Sequence, residues 1–235
     1  QAALAGAIFA GLCALVLALL MRGPDAMRAG WTARLLLVLV LVVFAVRLAG
    51  QLHPQIFIVD LGFHVHRFET VNTGQLLFTI ESAEWAGRST YYLPTAYLFM
   101  LPLNWLLHDV PLVVRLFTVG MGTLGAVVLY VTASRVTGRA WAGLAAAALY
   151  LLLPMAVLPY SWGITTNVFG EFFALCVLAL LTLAPARIHP RSAWFWMLAV
   201  SLAIALLSHP GVAQITGVAV AATTGLWLVF GRTSR

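Results

Sequence analysis

Apolar blocks too long for a water-soluble fold constrain this chain more than any other feature. They lie at 2–21, 31–50, 111–133, 141–160, 165–184, 193–209 and 211–231. Each approaches or exceeds the roughly 17–25 residues needed to cross about 30 Å of hydrocarbon. Only 9% of the 235 residues are charged and 63% are hydrophobic, whereas a soluble domain is about a quarter charged. In lipid every backbone polar group must be satisfied internally, so the spans are helices. The expected fold is all-α: a polytopic transmembrane helix bundle of about seven spans, with a juxtamembrane helix in one large extracytoplasmic loop. Segment 2–21 reads as a span, because it lacks the basic n-region and cleavage site of a signal peptide.

Charge orients the bundle. All thirteen basic residues are arginine, scattered between apolar blocks as topology anchors and headgroup contacts rather than gathered for nucleic acid. The stretch 92–109, YLPTAYLFMLPLNWLLHD, is short, and Pro102 is expected to break its helix near the middle. If 92–109 does not cross, nine arginines (22, 28, 34, 135, 139, 187, 191, 232 and 235) share one side and only Arg67 and Arg88 face the other. If it crosses, the split falls to eight against three. The positive-inside rule favours the first arrangement: loop 51–110 and the N-terminus extracytoplasmic, the C-terminus cytoplasmic, Arg47 and Arg115 snorkelling near span ends. The organisation is then two N-terminal helices (1–50), the outer loop with juxtamembrane helices (51–110) and a five-helix bundle (111–235). Cys13 and Cys176 read as small buried side chains.

Polar chemistry is concentrated in the loop string DLGFHVHRFE, residues 60–69. Leu61 to about Asn72 reads as a short helix with Asp60 as N-cap and Gly74 closing it. The i, i+4, i+7 spacing of Asp60, His64 and Arg67 puts a carboxylate, an imidazole and a guanidinium on one face. A carboxylate can act as general base or hold a divalent cation, and an arginine fork suits phosphate. The ordinary alternatives are a solvated cap for Asp60, interfacial side chains for His64 and His66, and an ion pair for Arg67. Glu171 is the one ionisable residue well inside a predicted span, an expensive position that points to a cavity or a partner; pairing with Arg115 is its plain alternative. His209 lies in LLSHPG, at a tight turn, where a cap is the competing role. The topology brings Asp60–Arg67, Arg115, Tyr160–Glu171 and His209 to one membrane face.

From about Gln55 to Gly211 the chain resembles the GT-C superfamily of polytopic glycosyltransferases, in character the lipid A aminoarabinose transferase-like proteins and related bacterial membrane proteins. The likeness rests on DLGFHVHRFE after a span, on YYLPTAYLFMLPLNWLL where members have a Tyr/Pro-rich segment, and on VVRLFTVGMGTLGAVVLYVTASRVTGRAWAGLAAAALYLLLP. Members usually carry more spans and often a C-terminal soluble domain. The resemblance implies an integral protein of the bacterial inner membrane that moves a sugar from a polyprenyl-phosphate donor to an acceptor outside the cytoplasm. It implies Asp60 as base or positioning acid, in some members with a divalent cation (Mg, Mn or Ca). Glu171 falls near where several relatives carry an acid, His209 near a basic position, and Arg115 at their outer arginine. The candidates are thus Asp60 and Glu171 for catalysis, His64, Arg67, Arg88, Tyr92, Arg115 and His209 for substrate binding, and Asp60 for a metal. Expected partners are the polyprenyl-phosphate lipid, membrane lipids and other membrane subunits, with no nucleic acid. Two rival classes remain: a non-catalytic subunit of a larger complex, and a transporter in which Glu171 lines a path.

Overall fold

Backbone hydrogen bonding in an apolar chain leaves helix as the default, and caps decide where each helix stops. The computed structural model describes residues 30–81, 87, 89–153, 158–183 and 189–230. The first apolar block within this range forms α1 (Gly30–Leu52). Its 23 residues rise about 35 Å. Thr32, Leu36, Val43 and Gln51 form its buried stripe, while Leu37, Val38, Leu41, Val42 and Val46 are exposed. Apolar side chains turned outward along a whole helix suit lipid rather than water. The block 2–21 and the arginines at 22 and 28 lie outside the described residues.

Helix α2 (Leu61–Asn72) follows, with Thr73 as its cap and Gly74 in the left-handed region at φ 88°. Next comes an antiparallel ribbon, β1 (Thr79–Glu81) with β2 (Ser89–Tyr91), in the register Thr79↔Tyr91, Ile80↔Thr90 and Glu81↔Ser89. This small ribbon is a local departure from the expected all-α fold: FTIE and STYY are rich in β-branched and aromatic residues, which fit a pleated strand better than a helix. The fold as a whole is mostly helical.

Helix α3 (Thr95–Leu107) runs unbroken through Pro102, contrary to expectation. Its face of Ala96, Tyr97, Met100, Leu101 and Asn104 is buried, and this packing outweighs the one backbone bond that a proline removes. Helix α4 (Val110–Thr137) begins with the Asp109 carboxylate accepting the Leu112 amide at 3.0 Å. Beyond it are α5 (Ala140–Leu152), α6 (Leu158–Trp162), α7 (Thr165–Thr182), α8 (Ala193–Leu206) and α9 (Pro210–Phe230). The expected single block 141–160 is divided. Leu153 is extended at ψ 134°, as the residue before a proline tends to be, and α6 is a separate short helix. Among the described helices, α1, α4 and α7 are long and apolar enough to cross a membrane; α3, α5 and α8 are shorter apolar helices.

Helix α4 is the hub, packed against α1, α5 and α7. Phe169 of α7 centres an aromatic cluster, 5.0 Å from Phe99 of α3, 5.7 Å from Phe117 of α4 and 5.0 Å from Phe173. One end of the bundle is tied by Trp31 against Trp141 at 4.7 Å and by the Thr32–Tyr130 hydroxyl pair at 3.1 Å. At the other end the segments before α2, before α3, around α6 and between α8 and α9 converge.

Candidate functional site

That second end is assembled by backbone contacts across distant segments. The Gln51 side-chain amide donates to the Tyr160 carbonyl at 2.7 Å, and the Asp60 amide donates to the Trp162 carbonyl at 2.8 Å. The start of α2 is thereby fixed against the turn that opens α7. Asp60 occupies the N-cap position of α2, yet its side chain makes no capping bond, which corrects the expected cap. Its charge instead acts on the phenols of Tyr92 and Tyr97.

His64 and Arg67 do share a face of α2, but that face is turned inward. His64 is 1% exposed, and its Nδ1 pairs with the Tyr97 hydroxyl at 2.7 Å. Burial first, then the charges of His209 and Arg67, pull its pKa down to about 3, so the imidazole is neutral. The guanidinium of Arg67 donates to the carbonyls of Leu77 at 3.0 Å, Tyr92 at 3.1 Å and Thr79 at 3.3 Å. Those bonds clamp the ribbon to α2; the fork expected to meet phosphate is occupied by backbone. His66 and Glu69 take the exposed side of the helix.

Tyr92 links the cluster to the helices. Its hydroxyl pairs with Thr166 Oγ1 of α7 at 2.7 Å, and its ring meets His209 edge-on at 5.8 Å. Burial raises its pKa. His209 Nδ1 accepts the Gly211 amide at 3.1 Å, and its carbonyl accepts the Ala213 amide at 2.9 Å. It therefore caps α9, with the ring proton left on Nε2, and burial lowers its pKa.

Arg47 does not snorkel as expected. It reaches inward, donating to the Tyr160 hydroxyl and the Leu151 carbonyl, each at 2.7 Å, with its guanidinium 4.4 Å from the Tyr160 ring centre. Burial pushes the Tyr160 phenol up to about 12, against the pull of Arg47. A Cβ at Gly122 of α4 would overlap that hydroxyl; glycine is what lets Tyr160 seat. Glu171 stands beside this group, within hydrogen-bonding reach of the Tyr150 hydroxyl. It is the seventh residue of α7, about 9 Å along the axis from Thr165.

Glu171 opens into a hollow of about 430 Å³ between α7 and α9, lined also by Asn167, Thr216, Pro159, Gly211 and Ile215. Asp60 is at the same end of the bundle but does not line the hollow. Arg115 lies one turn from Thr118, whose hydroxyl pairs with Thr165 at 2.8 Å. The Arg115 Nε is buried with no hydrogen-bond partner among the described residues. Arg88 lies outside the described residues. Among those described, no three His, Cys, Asp or Glu side chains gather as a metal site.

Tyr97, Tyr150, Asn167 and Thr216 were not singled out from sequence. Asn167 and Thr216 did carry a signal, a polar side chain inside an apolar helix; the two tyrosines, common in such helices, carried none. The chain matches no protein-family model, no curated protein and no solved structure.

Proposed function

We propose that this protein is a membrane glycosyltransferase of GT-C type, moving a sugar from a polyprenyl-phosphate carrier to an acceptor on the extracytoplasmic face. The observation that carries the reading is the meeting of Asp60, Tyr92, Tyr97 and His209, drawn from three separate stretches of chain, beside a hollow bordered by Glu171. Asp60 is the base or orienting acid for the acceptor hydroxyl.

The lipid phosphate departs with its tail, so catalysis requires cationic groups for the charge developing on it. Arg67 and Arg47 already donate to protein acceptors, which leaves Arg115 and Arg88 for this part. Glu171, within the hollow, is the second carboxylate. The apolar flank of α9, with Ile215 and Val218 exposed, gives the carrier tail a lateral approach from lipid.

The test is transfer from a polyprenyl-phospho-sugar in membranes, comparing wild type with Asp60→Asn. Loss of transfer by about a hundredfold or more fits a general base; unchanged transfer removes the assignment. A transport reading is favoured by one feature, the Glu171 hollow within a predicted span, and would show as substrate flux that survives Asp60→Asn.

A further inference from the structure

The chain between α1 and α2 is short, apolar and tied down at both ends. Residues 48–59 include no Asp, Glu, Lys or Arg. At one end the Gln51 side chain donates to the Tyr160 carbonyl, and at the other the Asp60 amide donates to the Trp162 carbonyl. Between them the Ile56 amide closes a turn onto the His53 carbonyl at 3.0 Å. Ile58 is buried against Gly163, where a Cβ would overlap its side chain. Its neighbours are bare: Phe57 is 80% exposed, and Ile56 and Val59 are exposed as well. Trp162, whose carbonyl holds Asp60, is 57% exposed. A contiguous patch of bare apolar side chains of this kind marks a contact with something other than water.

The flanking helices say what that contact is. Both α1 and α7 are long and apolar enough to cross a membrane. Helix α7 has 18 residues, a rise of about 27 Å against about 30 Å of hydrocarbon. It has no length to spare, so Thr165 lies at the membrane boundary, and so does the turn that carries Trp162 and holds Asp60. On α1 the exposed stripe Val38, Val42, Ala45, Ala49 and Leu52 follows i, i+3 and i+4 spacing to the last residue of the helix. Ile56 and Phe57 continue that apolar surface past the helix end. Aromatic side chains favour the zone between headgroups and acyl chains. We propose that Ile56, Phe57, Val59 and Trp162 form an interfacial anchor that inserts into the leaflet at this end of the bundle. Its partner is the bilayer surface, because the patch is pinned between the ends of two spans and prolongs a lipid-facing stripe. The assignment stands apart from the transferase reading: it fixes the depth of the Asp60 backbone, whatever chemistry that residue performs.

The test uses the full chain, with Cys13→Ala and Cys176→Ala, in phosphatidylcholine nanodiscs. A nitroxide label is attached at Val59→Cys, which leaves Phe57 in place. Reference labels sit at Val42→Cys, on the exposed stripe of α1, and at His66→Cys, on the exposed polar side of α2. Collision of each label with oxygen, which concentrates among acyl chains, is measured against collision with a water-soluble nickel chelate. Labels at 59 and 42 should favour oxygen, and the label at 66 should favour nickel. Adding Phe57→Asp should move the ratio at 59 towards nickel by about tenfold or more, the transfer preference of one aromatic side chain. The ratio at 42 should not move, which shows that the bundle is intact. Three results overturn the proposal: a label at 59 that favours nickel as the one at 66 does, so that the patch faces water; a label at 59 that neither reagent reaches, as beneath a second copy of the chain; or a ratio at 59 that Phe57→Asp leaves unchanged.

Discussion

Arg67→Lys separates a clamp from a phosphate contact, because lysine keeps the charge and loses the fork. Arg67 is 7% exposed and reaches three carbonyls on both sides of the ribbon: Leu77 and Thr79 before or in β1, and Tyr92 after β2. A hydrogen bond to a charged donor contributes about 1.5–3 kcal/mol. The bonds at 3.0 and 3.1 Å are good, and the one at 3.3 Å is long. Both good bonds leave from a single nitrogen, Nη2. An ammonium on a shorter, round-ended stem can keep one of them but cannot hold Thr79 as well from a planar fork. The expected loss is about 2–4 kcal/mol of local stability, confined to segment 75–92. Arg67→Met, which leaves all three carbonyls without their partner, should lose more.

The assay is backbone hydrogen exchange by mass spectrometry in nanodiscs. It follows the peptide containing Tyr92, whose amide donates to the Phe78 carbonyl at 2.8 Å. At about 1.4 kcal/mol per factor of ten, exchange there should accelerate about 30- to 1000-fold in Arg67→Lys. Exchange in α4 and α7 should stay as it was. If the ribbon keeps its wild-type protection in the lysine variant, the clamp argument is wrong. If transfer activity also falls under those conditions, Arg67 is a ligand contact after all.

Acid should destabilise the fold through His64. Its folded pKa is about 3 against 6.5 when free, so the unfolded chain binds the extra proton between those values. Stability is complete above pH 6.5 and falls as pH drops towards 3, by up to about 1.4 kcal/mol per unit. Thermal unfolding in detergent should show that slope in wild type and a shallower one in His64→Phe; equal slopes would refute it, and His209, lowered in the same direction, accounts for part of what remains. Gly122→Val should expel Tyr160 from its seat and cost about 1–3 kcal/mol by overpacking, read as a fall in unfolding temperature that a second change, Tyr160→Ala, partly restores. Asp109→Ala should cost about 1 kcal/mol through loss of the α4 cap, read as a small fall in unfolding temperature; a loss beyond that range would mean Asp109 has another role.

Much of the secondary structure was legible because lipid-compatible segments leave few options. The three helices long enough to span follow blocks 31–50, 111–133 and 165–184 closely. Helix α2 and its closing Gly74 were visible from spacing and one glycine. The ribbon was missed because it is only three residues per strand and depends on Arg67, a partner outside its own sequence. The division of 141–160 was missed because apolarity continues across it while the backbone turns extended at Leu153.

What the sequence determined by itself is the class of molecule and where its few charges lie along the chain, since hydropathy and spacing are local properties. What only the tertiary structure decided is what each polar group does. Arg67 and Arg47 looked available until the carbonyls of Leu77, Tyr92 and Leu151 came within 3.1 Å of their donors. Asp60 stands at the cap position of α2, but its side chain makes no capping bond there. Thr216 and Asn167 came to line one hollow only when α9 lay against α7. Burial and hydrogen-bond partners are set by residues remote in sequence, and the physical consequence is that an ionisable group's role is read from its neighbours, not from its position in the chain.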